Sequence, residues 1–304
     1  MNLLLLINPA ASTVTARGRA AVEDILAADH DLDVAVTTAR GHATELARQA
    51  VRDGVEVVVV IGGDGTLNEA ANGLVGSSTA LGALPGGSTS VFARTIGFTN
   101  DLGAAAKELA AALARGSRRR MEMGTVNGRH YLFHLGVGFD AEVVARVEAR
   151  SALKRAIGQA AFVYAALTTW MAQVDRARPR FTVTVSGEDT EHDAAFAVCL
   201  NTNPYTYFGN RPLNVAPTAG IGTGLAVAII HDLRLATVTK AFWSALGDGH
   251  EVGQQRGVTL RTDVEAVSIS GPEPFAHQVD GDYLGRVDSL KVSYEPSCLD
   301  VVMP

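Results

Sequence analysis

The sequence predicts two domains of different class. The first is an α/β domain built on a doubly wound parallel sheet (residues 1–126). The second is a β-rich domain, an antiparallel sandwich with inserted helices (residues 127–294), and the tail 295–304 can return to the first domain. Three observations carry this expectation. Strand and helix patterns alternate through the first 120 residues or so, the order that builds a parallel sheet with helices on both faces. Val57-Val58-Val59-Val60-Ile61 is an unbroken β-branched run, the pattern of a strand buried on both sides. After Met121 short alternating segments and turn signals take over, the pattern of antiparallel strands. A chain of 304 residues also exceeds what one core comfortably organises, roughly 250–300 residues.

Taken in order, Leu3–Ile7 reads as a strand ending at Asn8-Pro9, Arg17–Ala28 as a helix and Asp33–Thr37 as a strand. Ala43–Asp53 reads as a helix with Leu46 and Ala50 on one face. Val57–Ile61 is the central strand, a helix begins at Thr66, and Ala80–Leu84 is a strand closed by Pro85-Gly86-Gly87. In the second domain strands are expected at 129–135, 180–186, 194–200, 225–230, 258–261, 267–270 and 289–294. Helices are expected at Ala141–Arg150, Leu153–Asp175 and Leu235–Leu246. The boundary near 121–127 has no linker composition.

Composition excludes several classes. With 47% hydrophobic and 19% charged residues the chain can bury a large core, and a net charge of −6 lacks the basic footprint of a nucleic-acid binder. Its two cysteines, Cys199 and Cys298, form no metal or redox motif, which fits a reduced, cytoplasmic compartment. Leu3–Ile7 has no basic segment before it and reads as a buried strand rather than a signal peptide. Ala156–Val174 carries no charge and approaches the ~20 residues that span a bilayer. Its glycine, glutamines, threonines and many alanines favour a buried or cleft-lining helix.

Chemistry concentrates after the central strand, in Gly62-Gly63-Asp64-Gly65-Thr66-Leu67-Asn68-Glu69. Glycines allow close backbone approach, and a helix start presents N–H groups that stabilise an anion. A carboxylate there would repel bare phosphate, so Asp64 suggests a Mg²⁺ bridge or a proton acceptor. Asn8-Pro9, Thr37, Gly62–Thr66 and Pro85–Ser90 all follow strands, so the fold brings them to one edge of the sheet, where such sheets bind ligands.

These residues also carry a family resemblance. Asn8-Pro9, Thr37 with Gly41-His42-Ala43, Gly62–Glu69, and Leu84–Ser88 followed by Phe92-Ala93-Arg94 resemble, in order, the motifs of the diacylglycerol kinase and sphingosine kinase superfamily of lipid kinases. Further on, Gly136-Val137-Gly138-Phe139-Asp140-Ala141, Asn201–Pro217 and Val279-Asp280-Gly281-Asp282 continue the match. The resemblance implies transfer of the γ-phosphoryl group of ATP, with Mg²⁺, to a lipid hydroxyl. It assigns Gly62, Gly63, Gly65, Thr66, Leu67 and Asn68 to the phosphate loop, Glu69 to securing it, and Asn8, Thr37, Gly87 and Ser88 to nucleotide or phosphate. Asp64 would orient the metal, Arg94 and Asp140 would meet substrate, and Asp280 or Asp282 would accept the hydroxyl proton, with the resemblance favouring Asp282. It also implies a lipid partner at a membrane surface, peripheral at the inner face, and makes a homodimer reasonable.

Three positions depart from the family. Ser90-Val91 stand where it has Asn-Asp, Gly220–Gly224 lacks the acids of its structural-metal segment, and Asp282 is one methylene shorter than the usual Glu. Plainer roles compete: Asp64 as a turn residue, Asp140 as a helix cap, Asp280-Gly281-Asp282 as a hairpin turn, and His134, His231, His250 and His277 as structural. Arg118-Arg119-Arg120 with Arg146, Arg150, Lys154 and Arg155 could be a solvated face or could meet anionic headgroups. Phe139, Phe162, Tyr164, Leu167 and Trp170 are core residues or liners of an apolar cleft. The competing functions are a non-catalytic nucleotide- or lipid-binding regulator and an NAD kinase, which shares the Gly-Gly-Asp-Gly-Thr loop.

Overall fold

The computed structural model describes residues 1–11, 13–149, 166, 168–172, 178 and 180–304. It divides into two units, Met1–Met123 with Pro296–Pro304, and Gly124–Glu295.

The first unit is an α/β layer structure. Strands β1 (Asn2–Ile7), β2 (Asp31–Val36), β3 (Val57–Gly62) and β4 (Ala80–Pro85) pair in parallel in the order β4-β3-β1-β2. Every residue of β3 and β4 is buried, as the run of β-branched residues requires of strands covered on both faces. Helices α1 (Ala16–Ala27), α2 (His42–Arg52), α3 (Asp64–Leu74), α4 (Val91–Thr95) and α5 (Leu102–Ala114) supply the crossovers. Side-chain caps fix two of them: Thr15 Oγ1 accepts from Gly18 N at 3.0 Å for α1, and Asp101 Oδ1 from Ala104 N at 2.8 Å for α5. The chain's last strand adds Val301 in parallel beside Leu81 of β4.

The second unit is antiparallel. After β5 (Arg118–Val126) come β6 (Arg129–Tyr131), β7 (His134–Gly138), helix α6 (Phe139–Glu148), β8 (Phe181–Val185), β9 (Glu191–Ala194) and β10 (Phe196–Leu200). Then follow β11 (Thr206–Phe208), β12 (Arg211–Leu213), β13 (Leu225–Ile230), helix α7 (Leu235–Leu246), β14 (Val258–Val264), β15 (Ala266–Val279) and β16 (Asp282–Val302). The main order is β14-β13-β10-β7-β15-β16, with β8 beside β15 and β9 beside β8. Inward residues from these strands, among them Tyr131, Leu135, Val137, Phe181, Cys199, Val227 and Ile269, form one apolar core.

Three details differ from the sequence expectation. Helix α3 begins at Asp64, two residues before Thr66, because the Gly63 carbonyl already accepts from Thr66 N and Leu67 N. The expected strand 129–135 breaks at Leu132-Phe133. The strands expected at 267–270 and 289–294 are the middles of the much longer β15 and β16. The helix expected at Leu153–Asp175, and with it Lys154, Arg155, Phe162, Tyr164 and Leu167, lies largely or wholly outside the described residues, as does Arg150. Among the described residues no helix is long and apolar enough to cross a membrane.

Candidate active site

In the first unit the strand ends bring the predicted residues together. Asn8 follows β1, and its backbone N–H donates to the Ile61 carbonyl at 3.0 Å. Its side chain donates from Nδ2 to Thr66 Oγ1 at 2.8 Å and accepts from Ala10 N through Oδ1 at 2.9 Å. Asn8 therefore ties the end of β1 to the first turn of α3. Thr37 follows β2 and is buried; its backbone N–H donates to Ile7 O at 2.9 Å, with its hydroxyl 3.5 Å from the same oxygen.

Two glycine pairs let the ends of β3 and β4 pack backbone against backbone. A Cβ on Gly86 would lie 2.8 Å from Gly62 N, and one on Gly87 would lie 3.0 Å from Gly63 Cα. A Cβ on Gly62 would meet Thr66 Cβ at 2.8 Å. Side chains at these three positions would fill the space beside the start of α3, where the first N–H groups have no intrahelical partner. Gly63, Asp64, Gly65 and Gly87 are half-buried and Ser88 is exposed, so this edge is reachable from solvent.

Glu69 secures the same edge from behind. Its Oε1 accepts from Gly41 N at 2.8 Å, its Oε2 from Ala43 N at 3.3 Å, and its carbonyl from Thr44 Oγ1 at 2.7 Å. One acid on α3 thus caps α2, whose N-cap residue Gly41 sits at φ +84 and offers no side chain for the task. Leu67 and Asn68 are buried within α3, and Asn68 accepts from Asn72 Nδ2 through its carbonyl at 2.8 Å.

Asp64 spans to the next loop. Its Oδ2 accepts from Val91 N and its Oδ1 from Phe92 N, each at 3.0 Å. The loop between is closed by Ser90, whose hydroxyl donates to Gly87 O at 3.1 Å and accepts from Gly87 N at 3.2 Å. Ser90 is buried at φ +47, a left-handed conformation uncommon for a non-glycine residue. Arg94 turns back so that Nη1 lies 3.4 Å from Thr89 O. As donors for a hard cation these residues offer one half-buried carboxylate. A carboxylate oxygen accepts more than one partner, which fits Mg²⁺ when phosphates and waters complete its shell.

In the second unit the late acidic turn joins β15 to β16. Asp280 and Gly281 sit at φ +48 and +83 and Val279 pairs with Asp282, the geometry of a two-residue type I′ hairpin. The two acids are treated differently. Asp280 is 2% exposed, and its carboxylate accepts from Leu132 N at 2.7 Å and from Phe133 N and His134 N at 3.0 Å each. This is why β6 and β7 are separate strands: the corner between them donates to a carboxylate instead of to a neighbouring strand. Asp282 is 23% exposed at its side chain and has Arg129 Nη2 at 3.3 Å.

A buried polar relay holds this turn. Gln278 donates from Nε2 to Asp140 Oδ2 at 2.6 Å and accepts from Gly281 N through Oε1 at 2.8 Å. The Tyr205 hydroxyl donates to the other oxygen of Asp140. Burial pushes the Asp140 carboxyl above the usual range, against the pull of these two donors, and burial together with the nearby carboxylate raises the Tyr205 phenol. A Cβ on Gly136 would lie 1.7 Å from Asp140 Oδ2, so the relay needs glycine there. His134 packs against Tyr205 with ring centroids 4.5 Å apart and the planes tilted by 44°, and burial lowers its pKa to about 3. The sequence reading missed Gln278, Tyr205 and Arg129. A lone glutamine closing the apolar strand Phe275–Val279 was a signal for the first; the other two come from distant segments and carried none.

Elsewhere, Thr223 closes the Gly220–Gly224 turn by donating to Gly220 O at 2.8 Å. Arg120 is occupied with Ser297 O at 2.7 Å and Asp300 at 3.2 Å. Phe139 packs on Phe196 at 6.3 Å, and Trp170 donates from Nε1 to Leu233 O at 2.8 Å.

Comparison with known proteins fits both units. The diacylglycerol kinase catalytic domain matches residues 2–126, and the YegS C-terminal NAD kinase beta sandwich-like domain matches residues 134–303. A Pseudomonas aeruginosa (strain UCBPP-PA14) protein named "Probable lipid kinase YegS-like" is 30% identical over 290 residues, covering 94% of this chain and 89% of that relative. The diacylglycerol kinase of Bacillus subtilis (strain 168) is 26% identical, covering 91% of this chain and 87% of its own length. A crystal structure of a diacylglycerol kinase from Bacillus anthracis str. Sterne shares the fold with a TM-score of 0.70 at 18% identity, covering 100% of this chain and 97% of that one. A second crystal structure from that organism reaches 0.79 at 22% identity, covering 100% and 95%. With both domains matched in order over nearly its whole length, the chain belongs to the lipid kinase family that joins a diacylglycerol kinase catalytic domain to a YegS-type C-terminal domain.

Proposed function

We propose that this protein transfers the γ-phosphoryl group of ATP to a lipid hydroxyl at a membrane surface, with diacylglycerol as acceptor and phosphatidic acid as product. The observation that carries the reading is the close packing of Gly62-Gly63 against Gly86-Gly87 at the start of α3, in a chain of the lipid kinase family. The diacylglycerol kinase of Bacillus subtilis among its relatives supports the choice of acceptor.

The residues divide the work as follows. The N–H groups of Gly63, Asp64 and Gly65, with Thr66, hold the phosphates, and Asn8, Thr37, Gly87 and Ser88 border the nucleotide. Asp64 would hold Mg²⁺, which when bound would neutralise phosphate charge. Glu69 keeps the phosphate loop in register through its cap on α2. Asp282 accepts the hydroxyl proton as the lipid oxygen bonds to the γ-phosphorus and the bond to the β-phosphate oxygen breaks, releasing ADP. The Asp140–Gln278 relay positions the turn that carries Asp282, and Arg129 Nη2, 3.3 Å from Asp282 Oδ2, orients that carboxylate. Arg94 and Asp140 remain substrate-side candidates, Asp140 acting through Gln278 and Tyr205.

One observation favours a second reading. Val91, at the family's acidic position, is buried, and its N–H takes an oxygen of Asp64, which suits a regulator that binds nucleotide without turnover. Labelled ATP offered with micellar diacylglycerol, monoacylglycerol, a sphingoid base and NAD separates the readings. The kinase reading expects labelled phosphatidic acid. ATP binding with no labelled lipid supports the regulator, and labelled NAD product overturns the lipid reading.

A further inference from the structure

Helix α7 is amphipathic in an unusual sense. Its inward stripe is made of small residues, Thr237, Ala241 and Ala245, the last two packing toward Val252, Val258 and Leu213. Its large apolar residues point the other way. Leu235 is 60% exposed, Phe242 40% and Trp243 67%, at spacings i, i+7 and i+8 that place them on one face, with Phe242 and Trp243 in edge contact at 5.7 Å. Exposed leucine, phenylalanine and tryptophan clustered on one helix mark a contact surface, whereas scattered single apolar residues do not.

On the helix itself and at its N-cap the charges have one sign, while the exposed acids Asp248 and Glu251 follow its C-terminal end. Between Leu233 and Gly247 the only charged residues are Arg234 and Lys240, in a chain whose net charge is −6. The neighbouring Asp232 is turned into the fold: its Oδ1 accepts from Arg234 N at 2.9 Å and Thr237 Oγ1 at 2.8 Å, and its Oδ2 lies 3.8 Å from Arg234 Nη1. The bond from Trp170 to Leu233 O brings the segment carrying the exposed Met171 to the start of the same helix. Tryptophan, phenylalanine and leucine flanked by lysine and arginine are what a helix lying in a bilayer interface presents, the aromatic rings at headgroup depth and the cations toward anionic lipid. From the apolar face and its local charge we infer that α7 docks the protein on an anionic lipid bilayer, through Leu235, Phe242 and Trp243 with Arg234 and Lys240. The inference rests on the reading that the acceptor is a bilayer lipid and gives that reading a surface.

The chain's two tryptophans make the test direct. Trp170→Phe leaves Trp243 as the sole emitter, to be followed with vesicles of phosphatidylcholine alone or mixed with phosphatidylglycerol. The expected result is a blue shift on mixed vesicles and quenching by brominated acyl chains. Replacing Phe242 and Trp243 together by Ser should weaken vesicle partition by about tenfold or more. Both side chains are exposed, so the fold should survive, and phosphorylation of a water-dispersed short-chain diacylglycerol should be unchanged. Emission that ignores vesicles, or equal partition by the double variant, would overturn the inference. Emission that shifts with protein concentration in the absence of lipid would also overturn it, assigning the face to a second copy of the chain. Vesicle binding through Trp243 without phosphorylation of the dispersed acceptor would uphold the docking face and sink the kinase reading.

Discussion

The two aspartate–glycine turns of this protein use the same chemistry for opposite purposes. In the first unit Asp64 stands at a strand-to-helix turn, half-buried, with one backbone N–H on each carboxylate oxygen. In the second unit Asp280 stands in a hairpin turn, fully enclosed, with three backbone N–H groups on its carboxylate. Asp64 is half-buried at the edge of its sheet; Asp280 works as a strut that fixes the β6–β7 corner. Two residues along, Asp282 has an arginine at 3.3 Å and remains partly open. An acid saturated by backbone donors builds structure, and the proposed base is its less enclosed neighbour.

That contrast can be broken or sharpened by substitutions away from the acids themselves. The largest effect should come from Gly136→Ala. Its Cβ would overlap Asp140 Oδ2 and crowd Gln278 Nε2 at 2.4 Å, breaking the relay that holds Gly281. A loss of about 3 kcal/mol or more is expected from overpacking plus an orphaned buried acceptor, read as a lowered urea midpoint. An unchanged midpoint would mean the relay does not brace the turn.

Next comes pH. His134 donates its backbone N–H to Asp280, and its buried ring has a pKa lowered to about 3 from 6.5. Because the folded value lies below the unfolded one, the unfolded chain binds the extra proton in between. Stability therefore falls as pH drops from about 6.5 toward 3, with a slope of about 1.4 kcal/mol per pH unit from this group. Thermal melts between pH 7 and pH 5 should show that slope reduced in His134→Gln; an identical slope would remove His134 as its source.

The smallest effect concerns the other turn. Glu69→Ala removes the cap on α2 and should cost about 1 kcal/mol. On the proposed reading the same acid holds the phosphate loop in register, so the KM for ATP should rise more than kcat falls. A fall in kcat alone would place Glu69 in the chemistry instead.

Much of this was legible in the sequence, for physical reasons that differ by element. The unbroken β-branched run predicted β3, and helix α7 was read with its observed bounds because its apolar pattern is local. The motifs after β1, β3 and β4 were read together because parallel strands must end on one edge. What escaped depended on partners far along the chain. The break at Leu132-Phe133 is caused by Asp280, nearly 150 positions away. Strand β15 was read as ending before Gly271-Pro272-Glu273-Pro274, yet the chain absorbs those prolines in a register shift between Ser270 and Phe275 and continues to Val279. Helix α3 was read two residues short because glycine disfavours helix, and the tertiary setting of the turn overrode that preference. The split of tasks between Asp280 and Asp282 was left open for the same reason: backbone donors are invisible in a sequence.

The measurement that tests the account most directly compares Asp280→Ala with Asp282→Ala for both lipid phosphorylation and melting temperature. Asp282→Ala should melt like wild type and lose activity by roughly 100-fold or more, the contribution of a positioned base. Asp280→Ala should melt far lower, because three buried N–H groups lose their acceptor. Full activity in a well-folded Asp282→Ala protein, or a well-folded but inactive Asp280→Ala protein, would contradict the assignment and move the base to Asp280.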